Sequence, residues 1–318
     1  MTKPVILIPG RIHPRVTARL SERCELVEIA SVDTSELDAE TLSRVRGGAV
    51  SGRFPASLMA ALPNLEVIGS FGVGYDGVDV AEAARRGVIV THTPDVLNDE
   101  VADTALALLL NTVRRFHFAE TYLREGRWES EGAFPLSPLS LKGQRVGIHG
   151  LGRIGLEIAS RLVPFKVEIH YHTRTPRADV PYTYHESLLA LATAVDTLIS
   201  IVPSTPQTAG AIDAGVLKAL GPKGVLINVG RGSTVDEPAL IAALKDGTIA
   251  AAGLDVFADE PRVPKALLDL PNVSLLPHVA SASVPTRDAM ADLVADNILS
   301  WFEEGRPLTP VPETPFKG

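Results

Sequence analysis

The chain has 318 residues and a single cysteine, Cys24, so no internal disulfide can form and a reducing compartment suits it. In the run Cys24-Glu25-Leu26-Val27 that cysteine reads as a small buried residue and not as a nucleophile. No apolar stretch approaches the ~20 residues of a membrane span. The opening run Val5-Ile6-Leu7-Ile8 stops at Pro9, too soon for a secretory leader, and reads as a first strand. A soluble, cytoplasmic protein is expected. Strong charge is missing too: 30 Lys and Arg against 38 Asp and Glu leave a net charge of −8, which disfavours a general nucleic-acid partner. Low-complexity tracts and short repeats are absent.

What is present is an ordinary globular composition, 45% apolar and 21% charged, in a length that suits about two domains. Short apolar runs at residues 5–8, 26–29, 48–50, 65–69 and 88–90 alternate with helical stretches such as 55–62 and 80–86. A second series of runs lies at 146–149, 167–172, 197–202, 225–229, 251–256 and 273–276. Such alternation predicts parallel sheets covered by helices. The fold class expected is α/β, with two doubly wound parallel-sheet domains. Residues 98–110 open with an Asn cap and two acids, then turn apolar nearly all round. That pattern predicts a buried helix, between domains or in a dimer contact. An irregular arm is expected after Gly126, up to Leu141, and a long helix over 284–303. If that last helix crosses back, the first domain is discontinuous: 1–98 with 284–318, and 99–283 as the second.

The pattern G-x-G-x-x-G occurs twice. Alone it often marks only turns, so context decides. In Gly72-Val73-Gly74-Tyr75-Asp76-Gly77, Asp76 and Asp79 crowd the start of the next helix, where carboxylates repel a pyrophosphate. Gly150-Leu151-Gly152-Arg153-Ile154-Gly155 follows an apolar strand and opens an amphipathic helix. Its glycines suit a tight turn, close approach to a pyrophosphate and close helix–strand packing, and the helix N-terminus favours the anion. Residues 99–283 therefore read as a Rossmann dinucleotide-binding domain. The ribose-reading position lies ~20 residues further on. No acid stands at that strand tip, since Glu168 comes too early. Instead the tip reads His172-Thr173-Arg174-Thr175-Pro176-Arg177, and guanidinium groups match a 2′-phosphate. NADP(H) is expected in preference to NAD(H).

Three successive strands of the second series end in chemically useful residues. Arg231, between two glycines in Asn228-Val229-Gly230-Arg231-Gly232, suits an anion anchor better than a structural ion pair. Asp255 and Glu260 follow the next strand, and His278 follows the last. Ligands of open α/β sheets bind outside these strand ends. Reduction of a 2-oxo acid needs a carboxylate holder, a polariser of the ketone and a proton donor, with a nicotinamide supplying the hydride.

The run Gly150 to Gly155, the block Asn228-Val229-Gly230-Arg231-Gly232-Ser233-Thr234-Val235-Asp236-Glu237, Ala251-Ala252-Gly253-Leu254-Asp255-Val256-Phe257, Pro277-His278 and Thr91-His92-Thr93-Pro94-Asp95 resemble the D-isomer-specific 2-hydroxyacid dehydrogenases. The basic tip from Arg174 to Arg177 is similar to the glyoxylate/hydroxypyruvate reductase branch. The resemblance implies that Arg231 binds the substrate carboxylate and polarises its carbonyl. His278 would be the general acid in reduction and the base in oxidation. Glu260 would hold the far nitrogen of the ring and stabilise its protonated form. Val73 and Gly74 would offer N–H groups to the carboxylate, with Ser281 also in the substrate site. Asp255 would face the nicotinamide side. Beside Gly150, Gly152, Gly155, Arg174 and Arg177, the dinucleotide would meet Arg153, Ile154, Thr173, Thr175, Val202, Pro203, Thr208, Val229 and Ala280. A homodimer is implied, acting on a small 2-oxo or 2-hydroxy acid, with no metal and no membrane or nucleic-acid partner. Val279-Ala280 before Ser281 departs from related reductases, which often have Gly before this Ser. Formate dehydrogenases of this fold place Gln where Glu260 stands, many phosphoglycerate dehydrogenases carry a further C-terminal domain, and a non-catalytic dinucleotide-sensing scaffold is the alternative from another class. A phenylpyruvate-type substrate is a further alternative.

Overall fold

Runs of Val, Ile and Leu too short for helices become the inner strands of two parallel sheets. The computed structural model describes residues 3–316, and the chain divides into two compact units, 1–97 with 282–318 and 98–281. The first unit contains β1 (Val5–Pro9), α1 (Pro14–Ser21), β2 (Glu25–Ile29), α2 (Ala39–Arg44), β3 (Val45–Val50), α3 (Ala56–Ala60), β4 (Val67–Ser70), α4 (Val80–Arg86) and β5 (Ile89–Thr91). Its strands pair in parallel in the order β2-β1-β3-β4-β5. Every residue of β1 is buried, as a strand covered on both faces must be, whereas edge strand β2 is half open.

The second unit begins with α5 (Asn98–Arg114), α6 (Phe116–Arg124) and α7 (Arg127–Glu131). It continues through β6 (Arg145–His149), α8 (Arg153–Leu162), β7 (Glu168–His172), β8 (Thr183–Tyr184), α9 (Leu188–Ala194) and β9 (Thr197–Ser200). It closes with α10 (Ala214–Leu220), β10 (Val225–Asn228), α11 (Glu237–Asp246), β11 (Ala251–Leu254), α12 (Lys265–Leu268) and β12 (Val273–Leu275). The seven parallel strands run β12-β11-β10-β9-β6-β7-β8, so the winding reverses between β6 and β9. That reversal opens the crevice in which doubly wound sheets bind ligands. The chain then returns to the first unit as α13 (Val284–Glu304), whose Ala291, Val294, Ala295 and Ile298 pack with Ile6, Ile8, Val16 and Leu20.

Three features depart from the sequence expectations. Helix α5 buries one stripe, including Val101, Ala105, Leu108, Leu109 and Thr112, because only that face meets the sheet. A Cβ on Gly253 of β11 would lie 2.6 Å from Thr112 Oγ1, so this glycine lets the helix settle on the strand. Ala107 on the other side is exposed, and Leu106 and Leu110 are half-buried. The expected irregular arm begins with a helix instead: Gly126 takes a positive φ of 71° and Arg127 bonds Glu131 four residues on at 2.9 Å. Finally, β8 is a two-residue strand too short to leave a sequence pattern.

Candidate active site

The second glycine loop leaves β6 at the point of reversal. Gly150 adopts φ 101°, and a Cβ there would come 2.8 Å from Val202 Cγ1, so only glycine fits this turn. A Cβ on Gly155 would lie 2.1 Å from Gly150 O, which lets α8 start directly against the loop. No side chain caps α8, and a Cβ on Gly152 would meet nothing within 4 Å. The first turn, with Arg153, Ile154 and Gly155, therefore presents a helix N-terminus to an open space. Helix α8 is tied to α5 by Arg161, which bonds Asp99 and Asp103, each at 2.5 Å. Across the crevice, Pro203 and Thr208 belong to one turn, closed by the Thr208 hydroxyl donating to Pro203 O at 2.6 Å.

At the tip of β7 the two arginines have different situations. Arg177 donates to Asp179 through Nε at 3.0 Å and Nη2 at 2.5 Å, and to Leu151 O of the glycine loop at 3.0 Å. Its guanidinium holds the Asp179 carboxyl below the ordinary range. Arg174 is exposed, and no acceptor for it exists among the described residues. Thr173 donates its hydroxyl to Thr175 O at 2.7 Å, so both threonines shape the tip. The clamp by Asp179 was not read from the sequence, although an acid two residues from Arg177 was its signal.

Arg231, Glu260 and His278 all lie at the carboxyl edge of β10, β11 and β12. After β10, Val229 is buried and Asn228 shapes the turn, donating to Arg231 O at 2.9 Å while its own oxygen accepts from Gly230 N at 3.1 Å. The half-buried Arg231 donates from Nη1 to Gly230 O at 2.8 Å. A Cβ on Gly232 would lie 1.9 Å from Phe257 C, so the loops after β10 and β11 are in direct contact. Glu260 accepts from Phe257 N at 3.0 Å through one oxygen and from His278 Nδ1 at 2.7 Å through the other. A carboxylate accepts only, so Nδ1 carries a proton and Nε2 is the nitrogen left for other chemistry. The two side chains are 48% and 34% exposed for His278 and Glu260.

His278 stands in a left-handed conformation, φ 52°. What holds it there is Asp255, fully buried at the end of β11. Its carbonyl accepts from His278 N at 2.8 Å, and its carboxylate oxygens accept from Val279 N at 2.7 Å and Ala280 N at 2.9 Å. Burial pushes the Asp255 carboxyl up, against the pull of those two N–H groups. The sequence suggested Asp255 for the nicotinamide side; in the fold both oxygens already fasten the segment behind His278. Ala280 O in turn accepts from Thr104 of α5 at 3.2 Å, and Ser281 ends this unit, half-buried.

Val73 and Gly74 belong to the first unit, in the loop after β4. Both are half-buried, and neither N–H has an acceptor among the described residues. Gly72 O accepts from Thr93 N at 2.8 Å, a tether the sequence did not reveal. The described residues contain no group of three or more His, Cys, Asp or Glu able to hold a metal, and no helix long and apolar enough to cross a membrane.

Residues 106–280 match the D-isomer specific 2-hydroxyacid dehydrogenase, NAD binding domain. A crystal structure of an NADPH-dependent glyoxylate/hydroxypyruvate reductase from Sinorhizobium meliloti, in complex with NADP and malonate, is 63% identical with a TM-score of 0.98, covering 100% of this chain and 99% of that one. A hydroxyphenylpyruvate reductase of Plectranthus scutellarioides is 48% identical over 283 residues, 89% of each chain. A glyoxylate/hydroxypyruvate reductase A of Arabidopsis thaliana is 46% identical over 276 residues, 87% of each chain. With parallel α/β units, a glycine loop at the sheet reversal and these relatives, the chain belongs to the D-isomer-specific 2-hydroxyacid dehydrogenase family.

Proposed function

We propose that the protein reduces a small 2-oxo acid of the glyoxylate/hydroxypyruvate type to its D-2-hydroxy acid with NADPH. The observation that carries this reading is the 2.7 Å bond between His278 Nδ1 and Glu260, at the strand edge that also bears Arg231. The cofactor fits the residues present: the uncapped start of α8 suits the pyrophosphate, and Arg174 suits a 2′-phosphate. Bound NADPH supplies the hydride. Arg231 takes the substrate carboxylate and polarises the carbonyl. His278 Nε2 gives its proton to the oxygen as the C–O bond loses its double-bond character. Glu260 holds Nδ1 and so fixes the ring's orientation, and Asp255 keeps its backbone in place. The first unit's Val73 and Gly74 N–H groups are assigned to the substrate carboxylate on their chemistry, that of free donors in a glycine loop.

Steady-state assays of glyoxylate, hydroxypyruvate and an aryl 2-oxo acid, each with NADPH and NADH, test this reading. Turnover of a 2-oxo acid with NADPH preferred supports it; cofactor binding without turnover of any of them overturns it. The aryl acid belongs in the panel because the Plectranthus relative is named for such a substrate. A cytoplasmic setting is in keeping with the buried Cys24, whose thiol burial pushes up to about 11. We also assign a homodimer to the second unit's helices. Trp128 of α7 is 63% exposed and Leu136 beyond it 94%, an apolar display that a second copy would cover. A stable monomer in light scattering at micromolar concentration would overturn that assignment.

A further inference from the structure

We propose that His92 is a positioning residue for substrate, holding the Val73–Gly74 peptide so that its N–H is aimed and strengthened for a carboxylate. The inference rests on assigning this loop to the carboxylate of a 2-oxo acid.

His92 follows β5, next to the loop that leaves β4, and its ring nitrogen Nδ1 lies 2.8 Å from Val73 O. A carbonyl only accepts, so Nδ1 is the donor and its tautomer is set. Val73 O and the Gly74 N–H belong to one peptide unit. That unit is planar and trans, so its two polar ends point in opposite directions. Gripping the oxygen from one side fixes the direction of the N–H on the other. Donation into the carbonyl also polarises the unit and makes its N–H a better donor. The neighbouring residue does the same for the preceding peptide: Thr93 N donates to Gly72 O at 2.8 Å, and that unit carries the Val73 N–H. Two consecutive residues thus orient two consecutive N–H groups, and neither N–H has an acceptor among the described residues.

The ring is itself held. His92 N donates to Thr309 O at 3.2 Å, and the Thr309 hydroxyl donates to His92 O at 2.6 Å. The Tyr75 ring meets the imidazole edge-on at 5.4 Å, and the Tyr75 hydroxyl donates to Glu313 at 3.0 Å. A side chain that only filled space here would need neither a donor nor this bracing.

The test compares His92→Leu, His92→Asn, His92→Gln and Gly74→Pro by kcat and KM for glyoxylate with NADPH, and by NADPH Kd. His92→Leu removes the donor and should raise KM roughly three- to tenfold, the worth of one hydrogen bond. With kcat and NADPH Kd nearly unchanged, such a rise marks lost substrate binding. The Asn amide nitrogen falls near the position of Nδ1, so His92→Asn should keep a near-native KM. His92→Gln overshoots by a methylene and should behave like His92→Leu. If His92→Leu does not fold, the contrast between Gln and Asn decides the same question. Equal KM in all three His92 variants, or equal damage in Asn and Leu, overturns the inference. Gly74→Pro deletes the N–H itself. If it raises KM while His92→Leu does not, the loop assignment stands and His92 has no part in it. If neither raises KM, the loop assignment fails and the inference falls with it.

Discussion

The chain spells the same six-residue glycine pattern twice, once in each unit. The loop Gly150 to Gly155 leaves β6 where the strand order reverses, and α8 begins at Arg153, immediately after the second glycine. The loop Gly72 to Gly77 leaves β4, away from the reversal between β1 and β3, and α4 begins only at Val80, with Asp79 as its cap. The closing glycines look alike: a Cβ on either would lie 2.1 Å from a carbonyl oxygen. For Gly155 that oxygen belongs to Gly150 of its own loop, so the glycine closes loop onto helix. For Gly77 it belongs to Gly52, so the glycine closes one loop onto another. The place of the strand in its sheet, and the distance to the next helix, decide what the pattern can bind.

The match to the NAD binding domain falls within the second unit, and the largest effect expected from the proposed function lies there. His278→Gln should lower kcat for 2-oxo acid reduction by about 10² to 10⁴, the usual range for a lost general acid, with NADPH Kd nearly unchanged. A near-native kcat in this variant would leave the proton to some other group.

Next comes acid stability. Burial, with His172 nearby, pushes His149 down from 6.5 to about 4, and its Nδ1 has no partner. The unfolded chain takes up this proton below pH 6.5, while the folded chain resists until about pH 4. Stability contributed by this residue is therefore intact above the unfolded value and falls with pH through that window. The loss reaches about 3 kcal/mol, since a tenfold difference in proton affinity between the two states is worth ~1.4 kcal/mol. His149→Leu should flatten the urea midpoint against pH. His170 and His185 are shifted the same way by burial, so some slope should remain. An unchanged slope would clear His149 of the effect. Hydrogen exchange near pH 5 should show residues 98–281 opening before the first unit.

Cofactor choice is a smaller effect. Arg174→Ala should reduce the preference for NADPH over NADH by roughly ten- to a hundredfold, the worth of a charge-assisted contact, while sparing NADH activity. Equal losses with both cofactors would deny Arg174 the 2′-phosphate. Asp179→Asn should instead tighten NADPH binding a little, by releasing Arg177.

The paired glycine substitutions give the sharpest comparison. Gly77→Ala and Gly155→Ala should each cost about 1–3 kcal/mol of stability through overpacking. Only Gly155→Ala should weaken NADPH binding. Loss of NADPH binding in both would erase the distinction between the loops.

Elements with a continuous apolar signal were legible before the structure. Residues 5–8 lie in Val5–Pro9, and the helix expected over 284–303 is Val284–Glu304. The placement of Arg231, Glu260 and His278 at one edge was legible because parallel strands deliver their ends to the same side of the sheet. What escaped was contact between segments whose pairing has no period. The bond from His92 to Val73 spans 19 residues, and the one from Val279 to Asp255 spans 24. Short elements escaped as well: α7 depends on one Arg127–Glu131 pair beside a glycine turn, too little to stand out from a loop.

The left-handed backbone of His278 has a practical consequence. Glycine enters that region at no steric cost, so His278→Gly leaves the peptide held by Asp255 in its native shape. It also removes the whole imidazole, beside a Glu260 still fixed by Phe257 N. Because the native ring is 48% exposed, that vacancy is open to solvent and about the size of a free heterocycle. Imidazole added to the buffer can then dock against Glu260 and restore reduction with a saturable dependence on its concentration. The proton donor becomes a reagent that can be exchanged for substituted imidazoles, and the basicity of the donor becomes a variable set by the experimenter.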